Sequence, residues 1–305
     1  MIEIFLNILV LLIVPFLFIG IINKTKAFWA GRIGPSVFQP YYDFFKLLKK
    51  EEVVSNTTSF IFKIAPSLTF STVFFAGLLI PIMNHKSILS IEGSFVLFAY
   101  ILALGKFFSL IAAMDTGSSF EGMGASREAS FSTLVEPAFF IILSSIIAIS
   151  GNYSFQSLSL IIEKIDGLGP LIIALAVLAL FILILFEGCR VPVDDPNTHL
   201  ELTMIHEAMI LDNSGLDLAL IIYGSAMKML IFALLITNII IPAGLSIYTS
   251  SFSMLATVFF IAILIGTIES GFARIRMTHI FEFIFIISSI SLIILSLTMI
   301  SIYKN

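Results

Sequence analysis

The chemistry this sequence could do is concentrated in Glu187–Gly215, EGCRVPVDDPNTHLELTMIHEAMILDNSG. This stretch holds six acids, two histidines and an arginine between long apolar runs. Placing one ionised side chain at the centre of a bilayer costs roughly 2.5–3.5 kcal/mol on insertion scales. So many charges between two spans imply that they move ions, hold a partner, or both. Asp194-Asp195-Pro196 has the form of a helix start, with Asp195 as cap and Pro196 in the first turn. Thr198 and Glu201 have the spacing of a capping box, so some of these acids are expected to be structural. A short helix from His199 would put His199, Thr203 and His206 on one face, with Glu207 about 100° away and Glu201 on the adjoining side. Ala208-Met209-Ile210 follows His206-Glu207, so HExxH is absent and no metal site is expected. Imidazoles and clustered carboxylates titrate near neutral pH when neighbours shift them, which suits a proton relay or hydrogen bonding to a partner.

A second set comprises Glu121, Glu128 and Glu136. Glu136 lies a short way into an apolar run, in EPAFF, where Pro137 frees a backbone carbonyl from helix bonding. A carboxyl there either holds its proton against a neighbouring helix or exchanges it as a relay. Glu187, Glu269 and Glu282 sit at the ends of other apolar runs, with Arg190, Arg274 and Arg276 near enough in sequence for ordinary ion pairs. Lys106 lies toward one end of its run and could snorkel to the headgroups. Lys228 lies near the middle of its run and needs a buried acidic or carbonyl partner. The one cysteine, Cys189, cannot assemble an iron–sulfur cluster or a disulfide, so any redox centre is expected in another subunit.

The elements that must position these groups are membrane spans. The chain is 59% hydrophobic and 12% charged, where soluble domains carry about 25% charged residues. Ile, Leu and Phe come in long runs without period-two alternation, which excludes a transmembrane barrel. The expected fold is all-α, a single membrane domain over 1–305. A spanning helix needs about 20 apolar residues. Eight segments qualify: Ile2–Ile22, Pro66–Met83, Phe95–Ala113, Ala129–Ser150, Gly169–Phe186, Leu216–Ile240, Ser251–Glu269 and Thr278–Ile302. The first lacks a basic leader and a small-x-small cleavage site, and is read as a retained helix.

Loops 23–65, 114–128, 187–215 and 270–277 share one side and carry eleven Lys and Arg, against three on the other side (Lys86, Lys164 and Lys304). The positive-inside rule makes these four loops cytoplasmic and puts both termini on the outer face of the cytoplasmic (inner) membrane. In the first loop, Tyr41, Phe44, Phe45, Leu47 and Leu48 alternate with Lys46, Lys49 and Lys50 at helical period. That pattern predicts an amphipathic interfacial helix over Pro40–Glu52, following the turn residues Gly31, Gly34 and Pro35. Gly117, Gly122 and Gly124 predict a tightly bent third loop. That loop lacks the GxxxxGK pattern of a nucleotide cradle. No internal repeat is visible.

RVPVDDPNTHLELTMIHEAMILDNSG and EGMGASREASFSTLVEPAFF together resemble the integral-membrane subunit of group 4 nickel–iron hydrogenases, the formate hydrogenlyase and energy-converting type. That protein is in turn similar to the NADH dehydrogenase subunit 1 family of complex I. The resemblance extends to GRIGPSVFQPYYDFFKLLKKE and ESGFARIRM, so it covers nearly the whole chain. Complex I relatives carry an ETNRxPFDLPE-like fifth loop where this chain has EGCRVPVDDPN, which favours the hydrogenase branch over the quinone-reducing one. The resemblance implies a subunit that docks a soluble electron-transfer arm. A small subunit of that arm would hold iron–sulfur clusters and a large subunit the nickel–iron centre, with antiporter-like membrane subunits alongside. It implies an ion pathway through Glu121, Glu128, Glu136, Glu187, Asp194, Asp195, Glu201 and Glu207, to which the placement of charge in and at the ends of apolar runs adds Lys228 and Glu269. Partner docking would fall to Arg32, Gln39, Arg127, Arg190, His199, His206, Arg274 and Arg276. No nucleic-acid partner and no metal in this chain are expected.

Overall fold

The computed structural model describes residues 2–82, 87–151, 153–155, 158, 167–194, 204–242 and 244–304. Lys86, Lys164, Asp195, His199 and Glu201 lie outside them, as do the capping box at Thr198 and the helix expected from His199. The regular elements among the described residues are helices. They run α1 Ile2–Trp29, α2 Gln39–Leu47, α3 Phe60–Leu79, α4 Ser94–Asp115, α5 Ser119–Ser150, α6 Gly169–Glu187, α7 His206–Met209, α8 Gly215–Ile240, α9 Ile247–Gly271 and α10 Met277–Lys304. Eight of these, all but α2 and α7, are long and apolar enough to cross a membrane. The chain is a multi-pass membrane protein.

The spans fall where the apolar runs predict, but several begin or end elsewhere: α3 starts at Phe60 rather than Pro66, and α9 at Ile247 rather than Ser251. α1 continues past Ile22 to Trp29, where Lys26 reaches Glu269 and the Trp29 indole donates to Thr267 Oγ1 at 3.2 Å. The tightly bent third loop is a larger correction. α5 starts at Ser119, so Glu121, Gly122, Gly124 and Glu128 are helical. Met123, Ala125, Arg127, Glu128 and Ala129 are strong helix formers and carry the two glycines with them. Gly124 is there for close approach. A Cβ on it would lie 2.8 Å from Ile205 O and 3.0 Å from Ala208 Cβ, so only a bare backbone lets α7 lie against α5.

α8 is the centre of the bundle. Every residue from Met229 to Ile239 is buried, and the helix packs on α1, α2, α3, α6 and α9. Around it α3 pairs with α4, α1 with α9 and α5 with α10. Burial by protein rather than lipid explains how α8 can carry Lys228 mid-span.

α2 is the amphipathic helix, shorter than the expected Pro40–Glu52. It has no fully buried residue and lies across the bundle on aromatic contacts, Phe16 to Tyr41 at 5.2 Å and Phe16 to Phe44 at 5.3 Å between ring centroids. The Tyr41 hydroxyl donates to Ile13 O, and the Tyr223 hydroxyl from α8 donates to Leu12 O at 2.6 Å. Pro15 interrupts the hydrogen-bond ladder of α1, so its turn is pinned by two tyrosines from opposite elements. Burial raises the Tyr41 hydroxyl pKa above its ordinary value, which keeps it a neutral donor to that carbonyl.

Candidate functional site

Five charged side chains from four spans meet at one level of the bundle. The Lys106 ammonium on α4 lies 2.9 Å from Glu187 Oε1, 3.5 Å from Glu136 Oε1 and 3.7 Å from Glu128 Oε1. The second oxygen of Glu187 pairs with the Lys228 ammonium on α8. Local structure explains the convergence. Glu128, Ser132 and Glu136 recur every four residues on α5, a stripe that drifts about 40° per step and faces α4. The Ser132 hydroxyl donates to Glu128 Oε1 at 3.0 Å, which holds that carboxylate toward Lys106. Glu187 is the last residue of α6. A carboxylate at a helix C-terminus sits at the unfavourable end of the macrodipole, and two lysines compensate it.

The side chains of Lys106 and Glu187 are about 11% and 9% exposed, whereas that of Glu136 is 37% exposed. The cluster is therefore open at the Glu136 end and closed at Glu187. Two ammonium groups face three carboxylates, so the fully ionised set carries one excess negative charge. An isolated ion of either sign would be costly to desolvate here, and mutual pairing removes that cost.

Two cavities border the cluster, and another shares lining with one of them. The first, about 120 Å³, touches Lys106, Glu128, Glu187, Lys228, Cys189 and His206. The second, also about 120 Å³, shares Cys189, His206, Ile210 and Ser225 with the first and reaches Arg190, Asp194 and Glu207. The third, about 40 Å³, lies beyond Lys106 and is bordered by Glu136, Glu187 and Lys228. Cavity space thus borders the cluster on two sides and, through shared lining, adjoins Cys189, Arg190, Asp194, His206 and Glu207.

The remaining acids hold the loop together. Asp194 Oδ2 accepts from Ile205 N at 3.1 Å and His206 N at 3.3 Å, while its Oδ1 pairs with Arg274 at 2.6 Å. Glu121 is buried and accepts from Asp212 N at 2.9 Å. Glu269 is buried between Lys26 at 2.7 Å and Arg190 at 3.5 Å. Glu282 pairs with His279 at 2.8 Å on the surface. Arg127 donates to Met204 O at 2.8 Å. The guanidinium groups of Arg127, Arg190 and Arg274 are thus engaged within the chain, and for Arg190 and Arg274 these are the ion pairs that the sequence allowed. Arg32 and Arg276 are exposed, and Gln39 donates to Asp43 within α2. Glu207 and His206 both border the second cavity.

Of the expected pathway residues, the structure brings Glu128, Glu136, Glu187 and Lys228 together and places Glu121, Asp194 and Glu269 in separate tethers. Lys106, the hub, was missed, because snorkelling accounted for it. The available signal was the set of carboxylates on neighbouring runs, which together require a cation. Burial raises the Cys189 thiol well above its ordinary pKa, and the nearby Glu128 and Asp194 carboxylates add to the shift. Among the described residues, no group of three or more His, Cys, Asp or Glu is placed to hold a metal ion.

The family model described as NADH dehydrogenase matches residues 2–301. Hydrogenase-4 component C of Escherichia coli (strain K12) is 30% identical over 88% of this chain and 86% of its own length. Formate hydrogenlyase subunit 4 of the same organism is 28% identical over 88% of this chain and 89% of its own. NADH-ubiquinone oxidoreductase chain 1 of Triticum aestivum is 27% identical over 74% and 70%. A solved chain of the membrane-bound sulfane sulfur reductase, an archaeal respiratory membrane complex, shares the fold with TM-score 0.84. It is 21% identical and the match covers 97% of this chain and 98% of that one. With a family model matched across nearly its whole length, this chain belongs to the NADH dehydrogenase family.

Proposed function

We propose that the chain is the membrane-anchoring and ion-coupling subunit of a multisubunit respiratory hydrogenase complex, of the formate hydrogenlyase or energy-converting type. The observation that carries this reading is the Lys106-centred cluster. It joins four spans and lies between cavities, one of which connects to the polar 187–210 region. A passive anchor has no use for five charged groups at that depth. The relatives named as a hydrogenase component and a formate hydrogenlyase subunit support the choice of complex.

In this reading the loops 23–65, 114–128, 187–215 and 270–277 face the cytoplasm, and both termini face outward across the inner membrane. A soluble small subunit with iron–sulfur clusters and a large subunit with the nickel–iron centre dock on that side, with antiporter-like subunits beside the chain in the bilayer. Redox change in the docked arm alters the field at the 187–210 region, and the cluster answers by shifting charge between its carboxylates. Coupling of this kind requires two states with different proton affinities.

Gentle-detergent isolation of the chain from its native membrane, with mass spectrometry and a hydrogen-evolution assay, tests the assignment. Co-purifying nickel–iron and cluster-bearing subunits with hydrogenase activity are expected. A second reading, a quinone-chamber or sulfur-reducing subunit, is favoured by the apolar part of the first cavity's wall, which includes Pro66, Val73, Leu102 and Ile221. Recovery of flavin-bearing, NADH-oxidising or sulfur-reducing subunits instead would replace the hydrogenase reading with that one.

A further inference from the structure

We infer that α2 carries a site for anionic phospholipid, whose acyl chains lie on Phe38, Tyr42 and Phe45 and whose phosphate is held by Lys46, Lys49 and Lys50. The inference needs only that the chain spans a membrane, so it stands apart from the choice of complex above. α2 has two unlike faces. Tyr41 and Phe44 turn inward onto Phe16. Tyr42, Phe45, Lys46 and Lys49 recur at the spacing of one helical face, and Phe38 precedes Tyr42 by a turn. Phe38, Tyr42 and Phe45 are each more than half exposed, and the three lysines are exposed with them.

The lysines gather past the rings because the spiral outlasts α2. Leu48 N donates to Phe44 O at 3.0 Å, Lys49 N to Lys46 O at 3.3 Å and Lys50 N to Leu47 O at 3.0 Å. Among the described residues, none of the three lysines pairs with an acid. Asp43, the one acid of α2, lies about 100° round from Tyr42 and accepts from Gln39 at 3.0 Å. Glu52 is turned to the start of α8, where a Cβ on Gly215 would lie 3.1 Å from its Cγ. The cations are thus left to something outside the chain.

The level of the helix decides what covers this face. The Tyr41 hydroxyl reaches Ile13 O, and a Cβ on Gly20 would collide with Val37 O. Ile13 and Gly20 belong to the apolar run of α1, so α2 begins at the level of lipid. Its far end lies at the edge of a span: a Cβ on Gly215, the first residue of α8, would lie 2.9 Å from Lys50 O. The rings therefore come first, at acyl-chain level, and the lysines follow where headgroups begin. An amphipathic helix in that order buries its rings at the acyl boundary and offers its cations to phosphate. A soluble subunit arriving from beyond the span ends does not reach rings beside Ile13. A neighbouring span would cover the rings but would have to bring carboxylates to the lysines. An anionic phospholipid supplies both parts in one molecule, and a choline headgroup cancels its own phosphate charge.

Photocrosslinking tests this on the chain purified with its accompanying subunits and reconstituted in phosphatidylcholine vesicles. The vesicles hold a trace of phospholipid with a diazirine in its acyl chain, under either a phosphatidylglycerol or a phosphatidylcholine headgroup. Adducts on Phe38, Tyr42 and Phe45 are counted by mass spectrometry. Wild type should give severalfold more adduct with the phosphatidylglycerol probe, and unlabelled phosphatidylglycerol should compete it away. Lys46→Gln, Lys49→Gln and Lys50→Gln together should lower that adduct to the phosphatidylcholine level and leave the phosphatidylcholine adduct unchanged. A merely displaced α2 would change both. Equal adduct from the two probes in wild type would overturn the inference, and so would a preference that survives the three substitutions. Adduct from neither probe would overturn it too, and a lysine-reactive crosslink from Lys49 to another subunit would then mark the face as a protein interface. If the triple variant does not accumulate, the wild-type comparison still decides. The readout does not depend on which subunits co-purify, so a failure here leaves the assignment of the complex to its own isolation experiment.

Discussion

Glu187 is where electrostatics and stability meet. It compensates two lysines at once, so Glu187→Gln leaves Lys106 with only the more distant Glu136 and Glu128 and removes the partner of Lys228. Breaking a buried pair by removing one partner costs about 3–5 kcal/mol. Glu282→Gln removes a carboxylate whose side chain is 70% exposed, from a pair with His279 that surface screening makes nearly worthless. Thermal unfolding in detergent should therefore fall by many degrees for Glu187→Gln and stay within error for Glu282→Gln. Equal shifts would mean that water reaches Glu187 freely. The neighbouring Cys189 gives a chemical check. The thiolate is the reactive form, and burial holds this thiol protonated well beyond its ordinary range. Iodoacetamide at mildly alkaline pH should modify the folded chain slowly and the detergent-denatured chain quickly, measured as the mass increment on the Cys189 peptide.

At the scale of elements, α5 carries the sharpest contrast. Two glycines two residues apart, Gly122 and Gly124, have opposite reasons to exist. A Cβ on Gly122 meets nothing within 4 Å, whereas one on Gly124 meets Ile205 O and Ala208 Cβ. Alanine in a helix is favoured over glycine by about 1 kcal/mol. Gly122→Ala should therefore raise the unfolding temperature slightly, and Gly124→Ala should lower it by displacing α7 from α5. Limited proteolysis in the 204–214 segment should increase only in the Gly124 variant. The same helix shows what could be read from sequence and what could not. Apolar runs give away spans, because burying a backbone in lipid requires long continuous helices. They do not mark helix ends: polarity at Glu121–Glu128 records where α5 leaves the apolar layer, and its helix formers continue for two more turns. The carboxylates of the cluster were legible as types in unusual places. Their sorting was not, because Glu121 and Glu128 differ only in which element faces them. Asp194 shows the same limit, reading as a pathway acid and folding as an acceptor for the backbone of α7 and a clamp for Arg274.

The described residues are asymmetric from one end of the bundle to the other, an arrangement that the proposed coupling requires. α2, α7 and the inner ends of α4, α5, α6 and α9 gather the charged groups on one side, and the first two cavities lie at that level. The far end of α8 is closed by apolar residues, with Asn238 donating to Pro81 O at 2.8 Å. The Lys and Arg count of the sequence predicts that the charged side is the cytoplasmic one. Single-cysteine variants on a Cys189→Ser background measure this directly. Arg32→Cys is exposed beyond α1, and Tyr303→Cys replaces a residue 94% exposed at the end of α10. A membrane-impermeant maleimide should label Tyr303→Cys on intact spheroplasts and reach Arg32→Cys only in inverted vesicles. Because α1 and α10 each cross once and the number of spans is even, labelling of both sites from the same side would contradict eight crossings. A reversed pattern would keep the eight crossings but place the cluster's open cavities on the outer face. The charged surface proposed for docking a soluble arm would then face outward, and the proposed assignment would fail.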